Sequence, residues 1–418
     1  PTLTSSQLKH IVYNNITHPT TTLAYTMNKQ GDLVEIGRGN CGSVWAERLS
    51  DVDDNDEDNK SVIKREDCNT GRSITKEHDI HKHILARLAA ATMTSKSDSN
   101  LITGYRVDIP TAIDFIASTS PEWAFLLPRL PKDFQPCKAI RNERIPQMQQ
   151  YVRQLLVQRF HGGHGGCETR SEKLAADLLD LARTEQNCLV RPFLGRRRLP
   201  RNRPRMISAV SFRNFPLHLD QIEELGLPKE QYAMAMADTL AFLHWEAEVD
   251  ARDVEFVLAR PRSSSASLSA PSIGSKAFSS GGLFGTHAMW LLDFDCCKKM
   301  TMPEVMDDGG KVATEVAFLE AAAASFWGND PWYHRPPLPQ SNGNENGNHG
   351  AGSEYQPADS QLWEEFKGRY LETSRQILEG KGKESVAREL PGKVMGMILK
   401  TRWKNGKLVY LKDEGEMN

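Results

Sequence analysis

Apolar residues in the first third of the chain fall in short clusters bounded by glycines and charged turns, a pattern that predicts strands. Val34 to Leu49 (VEIGRGNCGSVWAERL) reads as strand, glycine turn, strand, and Ser61 to Glu66 (SVIKRE) as another strand. Trp123 to Pro131 (WAFLLPRLP) reads as a buried apolar strand stopped by its prolines. The period then lengthens. Residues 74–89 put Ile80, Ile84, Leu85 and Leu88 on one helical face, and residues 228–245 repeat Tyr232, Met236, Leu240 and Leu243 at the same spacing. That methionine and aromatic stripe predicts core packing, not a cofactor motif. VEFVLA and MWLLDF predict two short strands, and late helices are expected near 313–327 and 359–379. Strands first and helices afterwards predict an α+β fold with segregated halves.

Several stretches carry no such period. The acidic run Asp51 to Asp58 is self-repelling and reads as a hairpin insertion between strands. Disordered inserts are expected near 195–205, 261–282 and 338–356, the last two rich in Ser, Gly and Asn. The first of them, GRRRLPRNRPR, offers arginines for phosphate or RNA, with a solvated loop as the preferred reading.

Composition narrows the function classes. Hydrophobic residues make up 39% and charged residues 25%, ordinary for a globular chain, and a net charge of -2 makes no general case for nucleic acid or a membrane surface. No apolar run approaches the roughly 18 residues of a bilayer span. The segment PTLTSSQLKH has no basic region followed by an apolar one, so an intracellular location, cytoplasmic or nuclear, is expected. Seven cysteines without a C-x-x-C pair suggest neither a disulfide framework nor zinc. His161, His164 and Cys167 (HGGHGGC) read as a glycine-rich loop in preference to a metal site.

Candidate chemistry appears in a definite order. Gly37, Gly39, Gly42 and Val44 belong to GRGNCGSV, a glycine turn whose backbone N–H groups can approach phosphate oxygens. The β-prone Ser-Val-Trp after the last glycine disfavours a dinucleotide fold, which needs a helix there. Lys64 in Val-Ile-Lys stands on the next strand, where its ammonium can reach phosphates, and Glu77 on the following helix can orient it. Glu66 and Asp79 are alternatives for that carboxylate. Asp250 and Glu255 follow the Leu-His-Trp helix end with the spacing of a catalytic Asp and a metal-binding residue, with Asp253 competing for the first role. Glu255 stands where an amide is usual, and its carboxylate is a hard ligand suited to Mg²⁺. Asp293 ends an apolar strand in Leu-Leu-Asp-Phe-Asp and is a second ligand candidate.

Through GRGNCGSV, VIK and LLDFD the chain resembles the protein-kinase-like superfamily, and LLDFD is similar to aminoglycoside- and choline-type phosphotransferases. Segments such as SPEWAFLLPRLPKDF, LAFLHWEAEVDARDVEFVLA and FWGNDPWYHRP resemble uncharacterised fungal proteins sometimes labelled "zinc finger protein". The resemblance implies an N-terminal extension over 1–30, a small β-rich lobe over 31–131 and a larger helical lobe over 132–418. It implies an ATP-dependent phosphotransferase with an unknown small-molecule or protein substrate, using ATP and Mg²⁺. Gly37, Gly39, Gly42 and Val44 would cover the phosphates and Lys64, oriented by Glu77, would bind them. Asp250 would take the acceptor's proton, and Glu255 and Asp293 would hold Mg²⁺. The alternative is a pseudokinase-type binding or scaffold protein, favoured by Glu255, by Glu248-Val249 in place of His-Arg, and by the absence of Ala-Pro-Glu after Asp293.

Overall fold

The computed structural model describes residues 33–48, 61–68, 71–94, 104–160, 176–183, 185, 187–198, 211–262, 272–279, 283–302, 310–337, 357–383 and 385–411. The acidic run 51–58, the HGGHGGC segment and residues 338–356 lie outside these. The fold is α+β, with helices and several sheets.

Strands β1 (Leu33–Arg38), β2 (Ser43–Glu47), β3 (Ser61–Arg65), β5 (Ala112–Ile116) and β6 (Ala139–Glu143) form one antiparallel sheet in the order β1-β2-β3-β6-β5. Helix α1 (Ile74–Thr94) contacts β5 and β6 of this sheet and buries Ile80, Ile84 and Leu88. Its first turn is anchored by side chains. The Ile74 N–H donates to Glu66 Oε2 at 2.7 Å, and Lys76 N–H to Ser73 Oγ at 3.4 Å.

A second sheet runs β10-β4-β12-β9-β7-β8, with β11 paired to β12. Its members are β4 (Val107–Asp108), β7 (Val190–Phe193), β8 (Phe215–His218), β9 (Glu255–Ala259), β10 (Ser272–Ile273), β11 (Phe278–Ser279) and β12 (Thr286–Leu292). The hairpin of β9 and β12 is its spine, registering Glu255 against Leu292 and leaving Asp293 just past the strand end. Helix α5 (Lys229–Ala241) packs along α7 (Pro357–Gly380), and Tyr232, Met236, Leu240 and Leu243 are fully buried as the stripe predicts. The chain extends α5 with a wider π-helical turn, Phe242–Glu246. The fold also contains the short helices α2 (Trp123–Leu126), α3 (Gln150–Phe160) and α4 (Leu219–Glu224), a helical stretch at 176–183, α6 (Gly310–Gly328), α8 (Ser385–Lys400) and the hairpin of β13 (Thr401–Lys404) and β14 (Lys407–Tyr410).

Three expectations are corrected. Trp123–Pro131 is not a strand. It forms α2 and a 3-10 turn, Leu127–Arg129, because Ser120-Pro121-Glu122 opens a helical turn and Phe125 points to solvent. The sheet position next to β3 belongs instead to β6, whose half-polar sequence AIRNE hid it. The arginines of the 195–205 run are not a solvated loop where they are described. Arg196 pairs with Asp330, Arg197 with Glu223 and Asp359, and Arg198 with Asp220, so the run clamps neighbouring segments together.

The described part of the 261–282 insert also belongs to the core. Arg262, Ile273 and Phe278 are buried, and the Phe278 ring lies 5.2 Å from that of Tyr232 and 5.5 Å from that of Tyr105. Phe278→Ala should therefore lower stability by about 3–5 kcal/mol, seen as a lower urea midpoint at unchanged m-value. A loss below about 1 kcal/mol would return the segment to the surface.

Candidate functional site

A cleft of about 220 Å³ lies between the glycine turn and the ends of β9 and β12. Gly37, Gly39 and Val44 line its roof, Lys64 and Glu77 its back, and Glu255 and Asp293 its floor. Among the expected residues, Gly42 and Asp250 stand outside this lining.

The glycine turn is closed by the Gly39 N–H donating to the Gly42 carbonyl at 2.9 Å. Gly42 is required for a reason other than phosphate approach. A Cβ there would sit 1.6 Å from the Arg65 carbonyl oxygen, so only glycine lets the turn rest on β3. The next residue, Ser43, is fastened by its N–H to Asp67 Oδ1 at 2.8 Å.

Lys64 projects from β3, registered against Val44, into the cleft. Its Nζ donates to Glu77 Oε1 at 2.8 Å and to Asp293 Oδ1 at 3.0 Å, across 229 positions of chain. Burial works against the ammonium, yet Glu77 and Asp293 more than offset it and hold Lys64 charged. Burial likewise pushes the Glu77 carboxyl up, opposed by Lys64. The alternatives to Glu77 are set aside by position: Glu66 caps α1 and Asp79 faces solvent. Asp293 takes a left-handed backbone (φ 67), a conformation that strains a non-glycine residue and occurs often at functional sites.

A second set of contacts straps α1 to the floor. Arg72 donates from one nitrogen to Asp253 Oδ2 at 2.8 Å and to Asp295 Oδ1 at 3.0 Å. Lys76 Nζ reaches the Asp295 carbonyl at 3.2 Å, and Arg87 reaches the Glu246 carbonyl at 3.0 Å and Glu246 Oε1 at 2.6 Å. With the Glu77 carboxylate on the same helix, these contacts fix the reach of Lys64. Arg72 belongs to no motif, and Asp295, although it closes Leu-Leu-Asp-Phe-Asp, gave no sign of its partner because the pairing is purely tertiary.

Asp250 departs from its expected role. It is buried, and its Oδ1 accepts the Lys298 N–H at 2.8 Å and the Arg252 N–H at 3.2 Å, bracing the loop against the segment after Asp293. Burial raises its pKa. The competing candidate, Asp253, is half exposed and pairs with Arg72. Glu255 lines the floor, with Arg191 donating to its Oε2 at 2.5 Å. Burial, opposed by Arg191 and helped by the negative charges of Asp293 and Asp253, pushes Glu255 up to about 7.

A family model described as a zinc finger protein (DUF3669) matches residues 289–382, less than a quarter of the chain. No curated protein matches. The matched segment contains the end of β12, Asp293, and all of α6 and α7. This corrects the assignment by resemblance to a kinase-like family. It also corrects the expectation of a chain without zinc, since the matching description names a zinc finger. The cysteines and histidines of the segment are Cys296, Cys297, His334 and His349, the last outside the described residues. Cys297 donates to the Arg252 carbonyl at 3.2 Å, and the two ring nitrogens of His334 lie 2.9 and 2.7 Å from the carbonyls of Leu194 and Asp359. Those donors are satisfied by backbone, so the described residues of this segment do not form a four-ligand zinc set. Cys41, Glu77 and Asp295 of the segment approach one another, as do Asp253 and the segment's Asp295 and Cys296; Lys64 pairs with Glu77, and Arg72 with Asp253 and Asp295.

The position of Glu255 gives a signed pH dependence. A carboxyl whose folded pKa is raised binds more protons in the native than in the unfolded state, so its contribution to stability falls as pH rises from about 4.5 through about 7. Glu255→Gln keeps an acceptor for Arg191 and removes that slope. Its melting temperature relative to the parent should rise between about pH 5 and about pH 8. An unchanged difference across that range would place the raised carboxyl elsewhere.

Proposed function

We propose that this protein is an ATP-dependent phosphotransferase with a two-lobed, kinase-like arrangement whose smaller lobe runs through β6, past the boundary expected at 131. The observation that carries the proposal is Lys64 held by Glu77 and Asp293 beneath a glycine turn. An ammonium on a central strand, oriented by a helical carboxylate, is suited to α- and β-phosphate oxygens. The antiparallel order β1-β2-β3-β6-β5 and the helix carrying Glu77 support the two-lobed reading.

In this proposal ATP lies under Gly37, Gly39 and Val44 with its phosphates toward Lys64. Asp293 and Glu255 supply hard oxygen donors on adjacent strands, fitting a divalent cation that would neutralise charge on the phosphates. Phosphate oxygens would take over from Asp293 as the partner of Lys64, freeing that carboxylate. Asp250 accepts two backbone N–H groups through Oδ1, and neither it nor the competing Asp253 lines the cleft, so this reading gives neither of them the acceptor's proton.

A second reading, nucleotide binding without turnover, is favoured by one observation: Arg72 already pairs with Asp253. Held by that guanidinium, Asp253 is not free to turn toward an acceptor hydroxyl. The two readings divide on turnover and not on binding.

Thermal unfolding with ATP, with and without Mg²⁺, tests the shared step. Ligand at a hundredfold excess over its dissociation constant should stabilise the fold by about 2.7 kcal/mol. The rise should vanish in Lys64→Met and in Asp293→Asn. No rise in the parent protein at millimolar MgATP would defeat both readings.

A further inference from the structure

The wall of the cleft away from the glycine turn has a different chemistry. Strand β7 buries Val190 and Pro192 in the core and so turns Leu189 and Arg191 to the cleft, as a two-residue period requires. The Phe215 N–H donates to the Leu189 carbonyl at 2.7 Å, which brings Arg213 and Asn214 onto the same wall. Asn214 adopts a left-handed backbone there (φ 59). From the opposite side Arg144 donates to Asn187 Oδ1 at 3.0 Å and to the Glu47 carbonyl at 2.8 Å.

Three guanidiniums thus line a wall whose carboxylates are Glu255, held by Arg191, and Glu143, held by Arg262. Arg191 gives one N–H to Glu255, while its Nε is buried without a hydrogen-bond acceptor. Arg213 is shared with Glu185 at 3.5 Å, behind the wall. Buried guanidinium N–H groups are unfavourable until an oxygen meets them, and their planar fork suits a two-oxygen anion. A cationic ligand such as an aminocyclitol or a quaternary amine would meet like charge here.

We propose that this wall is an oxyanion subsite that takes the carboxylate or phosphate of the acceptor, so that the substrate is a small anionic molecule. The naming of the acceptor rests on the phosphotransferase reading; the binding of an oxyanion does not. Arg191 and Arg213 hold the anionic group, and Asn214 adds an amide donor. The acceptor hydroxyl would then lie toward Asp293.

Equilibrium dialysis of the full chain against labelled inorganic phosphate, and separately against citrate, tests this and distinguishes the two oxyanion classes. The parent and Lys64→Met should bind at least one of them. Arg191→Gln combined with Arg213→Gln should weaken that binding by about tenfold or more, as expected for lost charge-assisted bonds. If the double variant fails to fold, Asn214→Asp, which adds a negative charge to the wall, should weaken binding in its place. Binding lost in Lys64→Met but kept in the arginine variant would overturn the proposal, as would no binding of either anion by the parent protein. MgATP stabilisation without oxyanion binding would remove the subsite and leave the nucleotide reading. Oxyanion binding without MgATP stabilisation would do the reverse.

Discussion

A buried ammonium between two carboxylates is the interaction on which the described arrangement turns. Lys64 comes from the middle of one sheet, Glu77 from helix α1, and Asp293 from the end of a strand in the other sheet. A buried charge without its partners is strongly unfavourable, so removing one element would strand the other two. The ion pairs therefore do more than decorate a cleft. They oblige segments 229 positions apart to meet at one point, and the glycine turn closes over that point.

Around this centre the charges are graded. The α1 side presents Arg72, Lys76 and Arg87 to the acidic loop positions Glu246, Asp253 and Asp295. The far wall presents Arg144, Arg191 and Arg213 to the cleft. Between them stand Glu255 and Asp293, close enough that the charge of Asp293 raises Glu255. A phosphate chain entering under the glycines would meet cations at both ends and carboxylates on the floor, an arrangement suited to holding a polyanion with a bridging cation.

The departures from expectation share a cause. Trp123 to Pro131 is apolar enough for a strand, but local hydrogen bonds from Ser120, Pro121 and Glu122 start a helical turn before a sheet can form. Ile273 and Phe278 sit in a stretch whose composition argues against packing, yet Tyr105, Tyr232 and His287 supply a socket for the ring. Asp250 has the right spacing for a reactive carboxylate, but Lys298, on the strand-like segment after Asp293, takes it as a brace. In the last two cases a short polar or aromatic contact with distant chain outweighed a local tendency, and in the first a local turn outweighed apolar composition.

Local pattern alone determined the strands at Leu33–Glu47 and Ser61–Arg65, the helices α1, α5, α6 and α7, and the candidacy of Lys64, Glu77, Glu255 and Asp293. These follow from period, glycine permissiveness and strand ends, which are properties of neighbouring residues. The tertiary structure alone decided that Gly42 serves β3 packing, that Asp250 is bound to backbone, that Arg72 bridges Asp253 and Asp295, and that three arginines share one wall. Those outcomes depend on burial and on which charge finds which partner across the chain. Spacing along the sequence carries no record of such choices, because the energy of a charge is set by what surrounds it in space.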